Sequence, residues 1–279
     1  MKNINIYIIT CDKTNWVLNV TIPLLNKYWN IKKSVKILGF SKPDIEFNDD
    51  YEFISMRPKQ ESIDDWSKDI YSVIKNDPNE FVIFMLDDFL PRGYLNEEIF
   101  NFLFDKIEND KSIMRCGLGI DLHYQLNKII EQKDDYGVIE LLENAEYKIT
   151  TQPSIWRKDL LLYYLLKSTS PWNFEVNNRT LEHRVIGTNG QYAFKWIEES
   201  ALSGRHPDKF NILGLSREDI RWIIDNNLVT EDKLQYGQHI GKVPQFSQYG
   251  FDFKINILKN CVDNRKYVGY VEKYGKIYE

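Results

Sequence analysis

The sequence predicts an α/β protein with a mostly parallel central sheet flanked by helices, folded as one compact domain. Short β-branched apolar runs alternate with longer segments of helical periodicity through about residue 120. This alternation is typical of proteins in which helices connect parallel strands and cover both faces of the sheet. No stretch rich in Pro, Gly and Ser divides the 279 residues, so we expect a single domain over residues 1–279.

The first half contains the clearest elements. Short apolar runs predict strands, and apolar residues spaced by three or four predict amphipathic helices. Pro23 is expected to kink the first helix or to start a second piece. Asp64 or Asp65 is expected to cap the second helix. The predicted elements are strands over residues 4–10, 34–38, 51–55 and 81–86, and helices over residues 15–29, 64–75 and 96–107.

The second half has a different pattern, with fewer predictable elements. Ser216 is expected to begin a helix, because Glu218 and Asp219 in its first turn suit the positive end of the helix dipole. The other predicted elements are a strand over residues 147–151, helices over residues 157–166 and 175–185, and irregular structure over residues 236–253.

The composition argues against several classes of protein. Lys and Arg number 36 and Asp and Glu number 41, and the net charge of −5 argues against a protein that coats nucleic acid. No run approaches the roughly 18 to 20 apolar residues that span a bilayer. We see no signal peptide and therefore expect a cytoplasmic protein. The three Cys residues are far apart and form no CxxC pair, which argues against a disulfide framework or a zinc site.

The most informative stretch is an apolar run that ends in two acids. Six apolar residues over residues 81–86 lead directly into Asp87 and Asp88. Ligands of open α/β sheets gather at the carboxyl ends of the strands, which is where these two carboxylates would lie. Paired carboxylates suit a hard divalent cation that also binds phosphate oxygens. The alternative is that Asp88 caps a turn and Asp87 is solvated.

Three segments together resemble a known family. The string FMLDDFLP resembles the metal-binding acidic motif of glycosyltransferases with the GT-A fold, although Leu86 stands where that motif often has an acid. Downstream, TQPSIWRKDLL and TSPWNFEV resemble the Q-P-x-x-W and S-P-W-x-F-E patterns of glycosyltransferases from bacterial and viral polysaccharide gene clusters. The motifs occur in the order expected for that family, and the resemblance covers roughly residues 4–206.

The resemblance implies a Rossmann-like GT-A domain that transfers sugar from a nucleotide-sugar donor. Residues 1–120 would form the half that binds the donor. Residues 121–279 would form the acceptor half and a C-terminal extension. The acceptor would be a glycan or a lipid-linked glycan in surface polysaccharide synthesis, which leaves open a peripheral contact with the inner face of the membrane. Oligomeric state is not predicted.

The resemblance also implies roles on the donor side. Asp88 would ligate Mn²⁺ or Mg²⁺, and His206 would be a third ligand from a late loop. Asp12 lies in the loop after the first strand, where such enzymes bind the nucleotide, and a solvated loop position is its alternative. The residues implied to bind donor or nucleotide are Thr10, Asp12, Trp66 and Asp87.

On the acceptor side, the resemblance implies that Glu175 is the general base of an inverting single displacement. The alternative for Glu175 is a carboxylate in the first turn of a helix, where it would stabilise the dipole. Trp156 and Trp172 would stack on a sugar ring, or else pack in the core. Gln152 would form the turn beneath the acceptor.

Two other functions remain open at this level. A nucleotidyl- or phosphoryl-transferring α/β enzyme could use the same acidic strand end, but it would need a basic triphosphate loop near the first strand. Lys13 is the one cation there. A non-catalytic carbohydrate-binding protein of the same fold is the third possibility, and the presence of Asp87, Asp88 and Glu175 together argues against it.

Overall fold

A computed structural model shows a nine-stranded mixed sheet covered by helices. The structure describes residues 4–59, 62–119, 122, 125–143, 145, 147–176, 183–196, 210–211, 215–229 and 234–235. The strands are β1 Asn5–Ile9, β2 Ser34–Gly39, β3 Tyr51–Ser55, β4 Phe81–Leu86, β5 Ile113–Gly117, β6 Asn127–Gln132, β7 Gly137–Leu141, β8 Ser154–Arg157, β9 Arg184–Asn189, β10 Phe210–Asn211 and β11 Leu234–Gln235. The α-helices are α1 Leu18–Tyr28, α2 Trp66–Ile74, α3 Glu97–Asn109, α4 Lys158–Leu166, α5 Pro171–Val176 and α6 Arg217–Asp225.

The strand order in the large sheet is β3-β2-β1-β4-β8-β5-β9-β7-β6. Strands β1 to β4 pair in parallel, and β5 pairs in parallel with β9. Strand β8 is antiparallel to both β4 and β5 and lies between them. Strands β6 and β7 extend the sheet as an antiparallel edge. The predicted α/β class, with a mostly parallel sheet, is confirmed.

Side chains of β1 and β4 alternate between two apolar layers, as the two-residue period of a strand requires. Ile6 and Ile8 face the layer that contains α1 and α3. Tyr7 and Ile9 face the opposite layer, which contains α2 and α4. Because helices cover both faces, β1 and β4 are buried along almost their whole length and their sequences are apolar without polar alternation.

The first-half predictions are confirmed apart from details of the helix ends. Helix α1 continues through Pro23, so the expected division there is wrong, and a short 3₁₀ turn at Asn15–Val17 precedes the helix instead. The expected capping by Asp64 or Asp65 is also wrong. The Ser62 hydroxyl accepts the Asp64 N–H at 3.1 Å, and the Asp65 side chain makes no cap bond.

Two second-half predictions are wrong. Residues 147–151 form no strand, and Tyr147 adopts a left-handed conformation with φ of 52°. The helix expected over residues 175–185 is wrong at its end: Arg184–Asn189 is strand β9, with Val185 and Ile186 fully buried. Glu175 and Val176 belong to the short helix α5, and residues 177–182 lie outside the described residues. The predicted helix starting after Ser216 is confirmed. Residues 236–253, where irregular structure was expected, lie outside the described residues.

A buried carboxylate ties the loop before β4 to β1. Asp77 Oδ2 accepts hydrogen bonds of 2.6 Å from the Asn5 amide and from the Tyr7 hydroxyl. Asp77 Oδ1 accepts the backbone N–H of Asn79 at 2.8 Å. Burial would raise the pKa of Asp77, but these hydrogen bonds and the charge of Lys36 outweigh burial and hold the pKa below its ordinary value.

We predict that Asp77→Asn lowers the free energy of unfolding at pH 7 by about 1–3 kcal/mol, because it leaves buried donors poorly paired. A lowered native pKa contributes stability above the unfolded pKa of about 3.9, and this contribution is lost as the pH falls through the native value. The deficit of the variant should therefore shrink towards pH 3 in urea denaturation. Exposed Asp49→Asn is the control, and a deficit unchanged between pH 7 and pH 3 would contradict the prediction.

Candidate functional site

The two acids after β4 lie at the carboxyl edge of the parallel strands, but in different surroundings. The Asp87 side chain is buried, and its Oδ2 accepts hydrogen bonds from the hydroxyls of Thr10 at 2.5 Å and Thr14 at 3.4 Å. Asp88 is half-buried. Burial and the neighbouring charge of Asp88 raise the pKa of Asp87 well above its ordinary value, against the opposing hydroxyl bonds. The alternative in which Asp87 is solvated is therefore wrong.

The loop after β1 borders the same edge. Thr10 is buried beneath it, with its hydroxyl on Asp87. Asp12 is exposed and accepts the backbone N–H of Ser41 at 2.8 Å and its hydroxyl at 3.1 Å. Asp12 thus joins the loop after β1 to the loop after β2. Thr10, Asp12 and the acidic pair thus all follow the carboxyl ends of the neighbouring strands β1 and β4, the edge at which α/β proteins bind ligands.

Glu175 reaches this edge through one residue of the loop before β8. The Thr151 carbonyl accepts the N–H of Leu86 at 3.3 Å, immediately before the acidic pair. The Thr151 N–H and hydroxyl donate to Glu175 Oε1 at 2.8 and 2.9 Å, and the Thr150 hydroxyl donates to the same oxygen at 3.1 Å. Among the described residues, the donors to Glu175 all bond to Oε1, and none of them bonds to Oε2. One residue, Thr151, therefore connects Glu175 with the end of β4.

The dipole alternative for Glu175 is wrong. Glu175 is the fifth of the six residues of α5 and lies outside its first turn. Thr150 and Thr151, which hold it, were not found by sequence analysis. Their signal was their position directly before Gln152: Thr151 begins the TQPSIW motif and Thr150 precedes it.

Phe174 fixes the position of Glu175 from within the core. The Phe174 ring is fully buried, with ring centroids 5.8 Å from Trp66, 6.1 Å from Phe84 and 6.0 Å from Trp156. Two residues that were predicted to contact ligand, Trp66 and Trp156, pack against this ring and belong to the core. Trp156 has an exposed fraction of 0%, which contradicts stacking on an acceptor sugar. Trp66 is 6% exposed and packs on Phe84 and Phe174, so we no longer assign it to the nucleotide.

The other predicted acceptor residues are accessible. Trp172 is 67% exposed, on the same short helix as Glu175. Gln152 is half-buried in the turn before β8, where its N–H donates to the Thr150 hydroxyl at 3.2 Å and its carbonyl accepts the Ser154 hydroxyl at 2.9 Å. Gln152 therefore lies in the turn, as predicted, and its side chain remains a candidate acceptor contact.

The acidic pair fits a divalent cation that is shared with a diphosphate. Within the part of the chain that the structure describes, no group of three or more His, Cys, Asp or Glu side chains could hold a metal ion. His206 lies outside that part. Mg²⁺ and similar cations commonly bind through one or two carboxylates together with substrate phosphates. Burial is the main cause of the raised pKa of Asp87, and the charge of Asp88 adds to it; a cation at Asp88 would offset that charge.

Comparison with known proteins gives likeness in structure alone. Neither protein-family models nor curated protein sequences match this chain. A mannosyltransferase from Pyrobaculum calidifontis, solved with GDP-Man and Mn²⁺, matches at 8% identity and a TM-score of 0.36 over 57% of this chain and 45% of its own. Residues 1–349 of TarS from S. aureus, solved with UDP-GlcNAc, match at 13% identity and a TM-score of 0.43 over 69% and 57%.

A nucleotidyl-transferring enzyme is among the matches as well. The 4-diphosphocytidyl-2C-methyl-D-erythritol synthase from Anaerococcus prevotii matches at 14% identity and a TM-score of 0.38, over 79% of this chain and 96% of its own. The chain thus spans about half the length of the mannosyltransferase and of the TarS fragment. In the described residues, no helix is long and apolar enough to cross a membrane.

Phe174 and Trp172 provide a matched test of whether the Phe174 ring anchors α5 in the core. We expect Phe174→Ala to lower the free energy of unfolding by about 3–5 kcal/mol, because it leaves a cavity among packed rings. Trp172→Ala, on the exposed face of the same helix, should change it by less than about 0.5 kcal/mol. Urea denaturation measures both. Similar losses for the two variants would contradict the assignment of Phe174 as the anchor of α5.

Proposed function

We propose that this protein is a nucleotide-sugar-dependent glycosyltransferase. It transfers a sugar to a glycan or lipid-linked acceptor with inversion, in cytoplasmic synthesis of a surface polysaccharide. The observation that carries the proposal is the hydrogen-bonded path from Leu86 through Thr151 to Glu175, which links a third carboxylate to the strand that leads into Asp87 and Asp88. The resemblance of the three sequence motifs adds the reaction class, because those motifs contain these acids.

The donor would bind at the edge formed by Thr10, Asp12 and the acidic pair. Asp12 is exposed and could accept hydrogen bonds from the nucleoside. Asp87 is held by Thr10 and keeps the floor of this site polar. A divalent cation at Asp88 would neutralise negative charge on the leaving diphosphate. Together these residues would hold the donor at this edge of the sheet.

Glu175 would act on the acceptor. Its Oε1 is fixed by three donors, so its orientation is set before substrate arrives. Oε2 would take the proton of the acceptor hydroxyl while that oxygen bonds to the anomeric carbon and the bond to the diphosphate breaks. The proton ends on Glu175 and the electron pair on the diphosphate. One displacement inverts the anomeric configuration.

Nucleotidyl transfer is the second candidate, and the same acidic edge is what favours it. That reaction releases diphosphate from a triphosphate, whose charge requires several cations close by. Lys13 is the one basic residue in the loop from Thr10 to Thr14. A non-catalytic sugar-binding protein would have no need for the buried, destabilising Asp87.

The metal assignment predicts a specific loss in Asp88→Asn. UDP, GDP, dTDP and CMP would be tested by thermal shift, each with and without Mn²⁺. A ligand at 100 times its Kd stabilises the folded state by about 2.7 kcal/mol, which is readily measured as a rise in Tm. Asp88→Asn should remove the Mn²⁺-dependent part of this rise. Its Tm without ligand should stay close to that of wild type. An unchanged response to Mn²⁺ would exclude Asp88 from the site.

The base assignment predicts that Glu175→Gln lowers sugar transfer by about 10²–10⁴-fold, because an amide keeps the shape but cannot take the proton. Donor-nucleotide affinity should barely change, since the base acts on the acceptor. Transfer, or donor hydrolysis until an acceptor is known, would be compared with exposed Glu52→Gln on edge strand β3. Turnover of Glu175→Gln close to that of the control would exclude Glu175 as the base and would remove the reason for expecting inversion.

A further inference from the structure

The peptide group between Asp87 and Asp88 is held by a side chain from α1. Thr21 Oγ1 donates a hydrogen bond of 2.5 Å to the carbonyl oxygen of Asp87. The Thr21 side chain is completely buried, and its hydroxyl lies 3.2 Å from the Val17 carbonyl oxygen of its own helix. The shorter contact joins α1 to the end of β4, across 66 positions of sequence.

The planarity of the peptide bond carries this contact to Asp88. The carbonyl group of Asp87 and the nitrogen and Cα of Asp88 share one rigid plane. On the other side, the N–H of Asp87 donates to the carbonyl of Ile9 at 3.0 Å. Both backbone polar groups of Asp87 are therefore bonded to neighbouring elements. The direction in which the chain, and with it Asp88, leaves the sheet is fixed by those two bonds.

We propose that Thr21 is a positioning residue for the Asp88 carboxylate, an inference that rests on the proposed function. Thr21 acts through the backbone and touches neither donor nor cation. A valine of the same shape would fill the space but would leave the Asp87 carbonyl without this donor. The Asp87–Asp88 peptide could then rotate, and the carboxylate of Asp88 would lose its preferred direction. Groups that support metal ligands in this way typically change metal affinity by about 10–100-fold.

The test compares Thr21→Val with Thr21→Ser, which retains the hydroxyl. Mn²⁺ binding would be measured by electron paramagnetic resonance, alone and with UDP or GDP. Nucleotide binding without metal would be measured by calorimetry. Thr21→Val should weaken Mn²⁺ binding by about 10–100-fold, and Thr21→Ser should restore most of it. Metal-free nucleotide affinity should stay at the wild-type value in both variants.

Thr188→Val is the matched control for removal of a buried hydroxyl. Thr188 is 1% exposed on β9, and its hydroxyl has no hydrogen-bond partner among the described residues. This variant should bind Mn²⁺ as wild type does. If Thr21→Val does not fold, Thr21→Cys replaces it, because a thiol is a weaker donor and should give a smaller loss in the same direction.

The outcomes separate this inference from the proposed function. Wild-type Mn²⁺ affinity in Thr21→Val or Thr21→Cys, with loss in Asp88→Asn, would overturn the role of Thr21 and leave the proposed site intact. Equal losses in Thr188→Val and Thr21→Val, or no rescue by Thr21→Ser, would also overturn it. Absence of Mn²⁺ binding by wild-type protein, with and without nucleotide, would contradict the metal site of the proposed function, and the inference with it.

Discussion

Thr151 joins the two parts of the site, because its carbonyl accepts the N–H of Leu86 and its own N–H donates to Glu175 Oε1. This contact depends on strand direction. Strand β8 runs antiparallel to β4, so the residues before β8 lie where β4 ends. A parallel β8 would have placed them at the opposite edge of the sheet. The insertion of one reversed strand is thus what brings a loop from the second half of the chain to the acidic pair.

Packing and buried hydrogen bonds then fix the positions of Glu175 and Asp87. Phe174 lies among three aromatic rings, and the adjacent Glu175 is consequently held at the surface of that cluster. On the other side, Thr10, directly after β1, holds the side chain of Asp87, and Thr21 of α1 holds its backbone carbonyl. Rigid elements therefore support the carboxylates of Glu175 and Asp87. Such support is what a catalytic arrangement requires, since small displacements of reacting groups cost rate.

Much of the first half of the fold could be predicted because each of its strands is a short apolar run, and amphipathic helices separate these runs. It also placed Asp87 and Asp88 at a strand end from the composition of residues 81–86 alone. The second half was less predictable. Strand β9, Arg184–Asn189, is too short for its period to separate strand from helix, and its burial arises from pairing with β5 and β7.

For Trp156 too, burial depends on strand pairing that the local sequence does not specify. Its motif indicated a ligand contact, but pairing of β8 with β4 and β5 buries it completely, and nothing local in the sequence specifies that pairing.

The most direct test of a single site shared by the acidic pair and Glu175 is NMR line broadening by Mn²⁺ in the presence of nucleotide. We expect strong broadening of the amide signals of Thr151 and Glu175. Broadening should be weaker at Glu80, which lies at the other end of β4 from the acidic pair. In Asp88→Asn, the broadening at all three residues should be lost. Broadening at Glu80 equal to or greater than that at Glu175 would contradict a shared site.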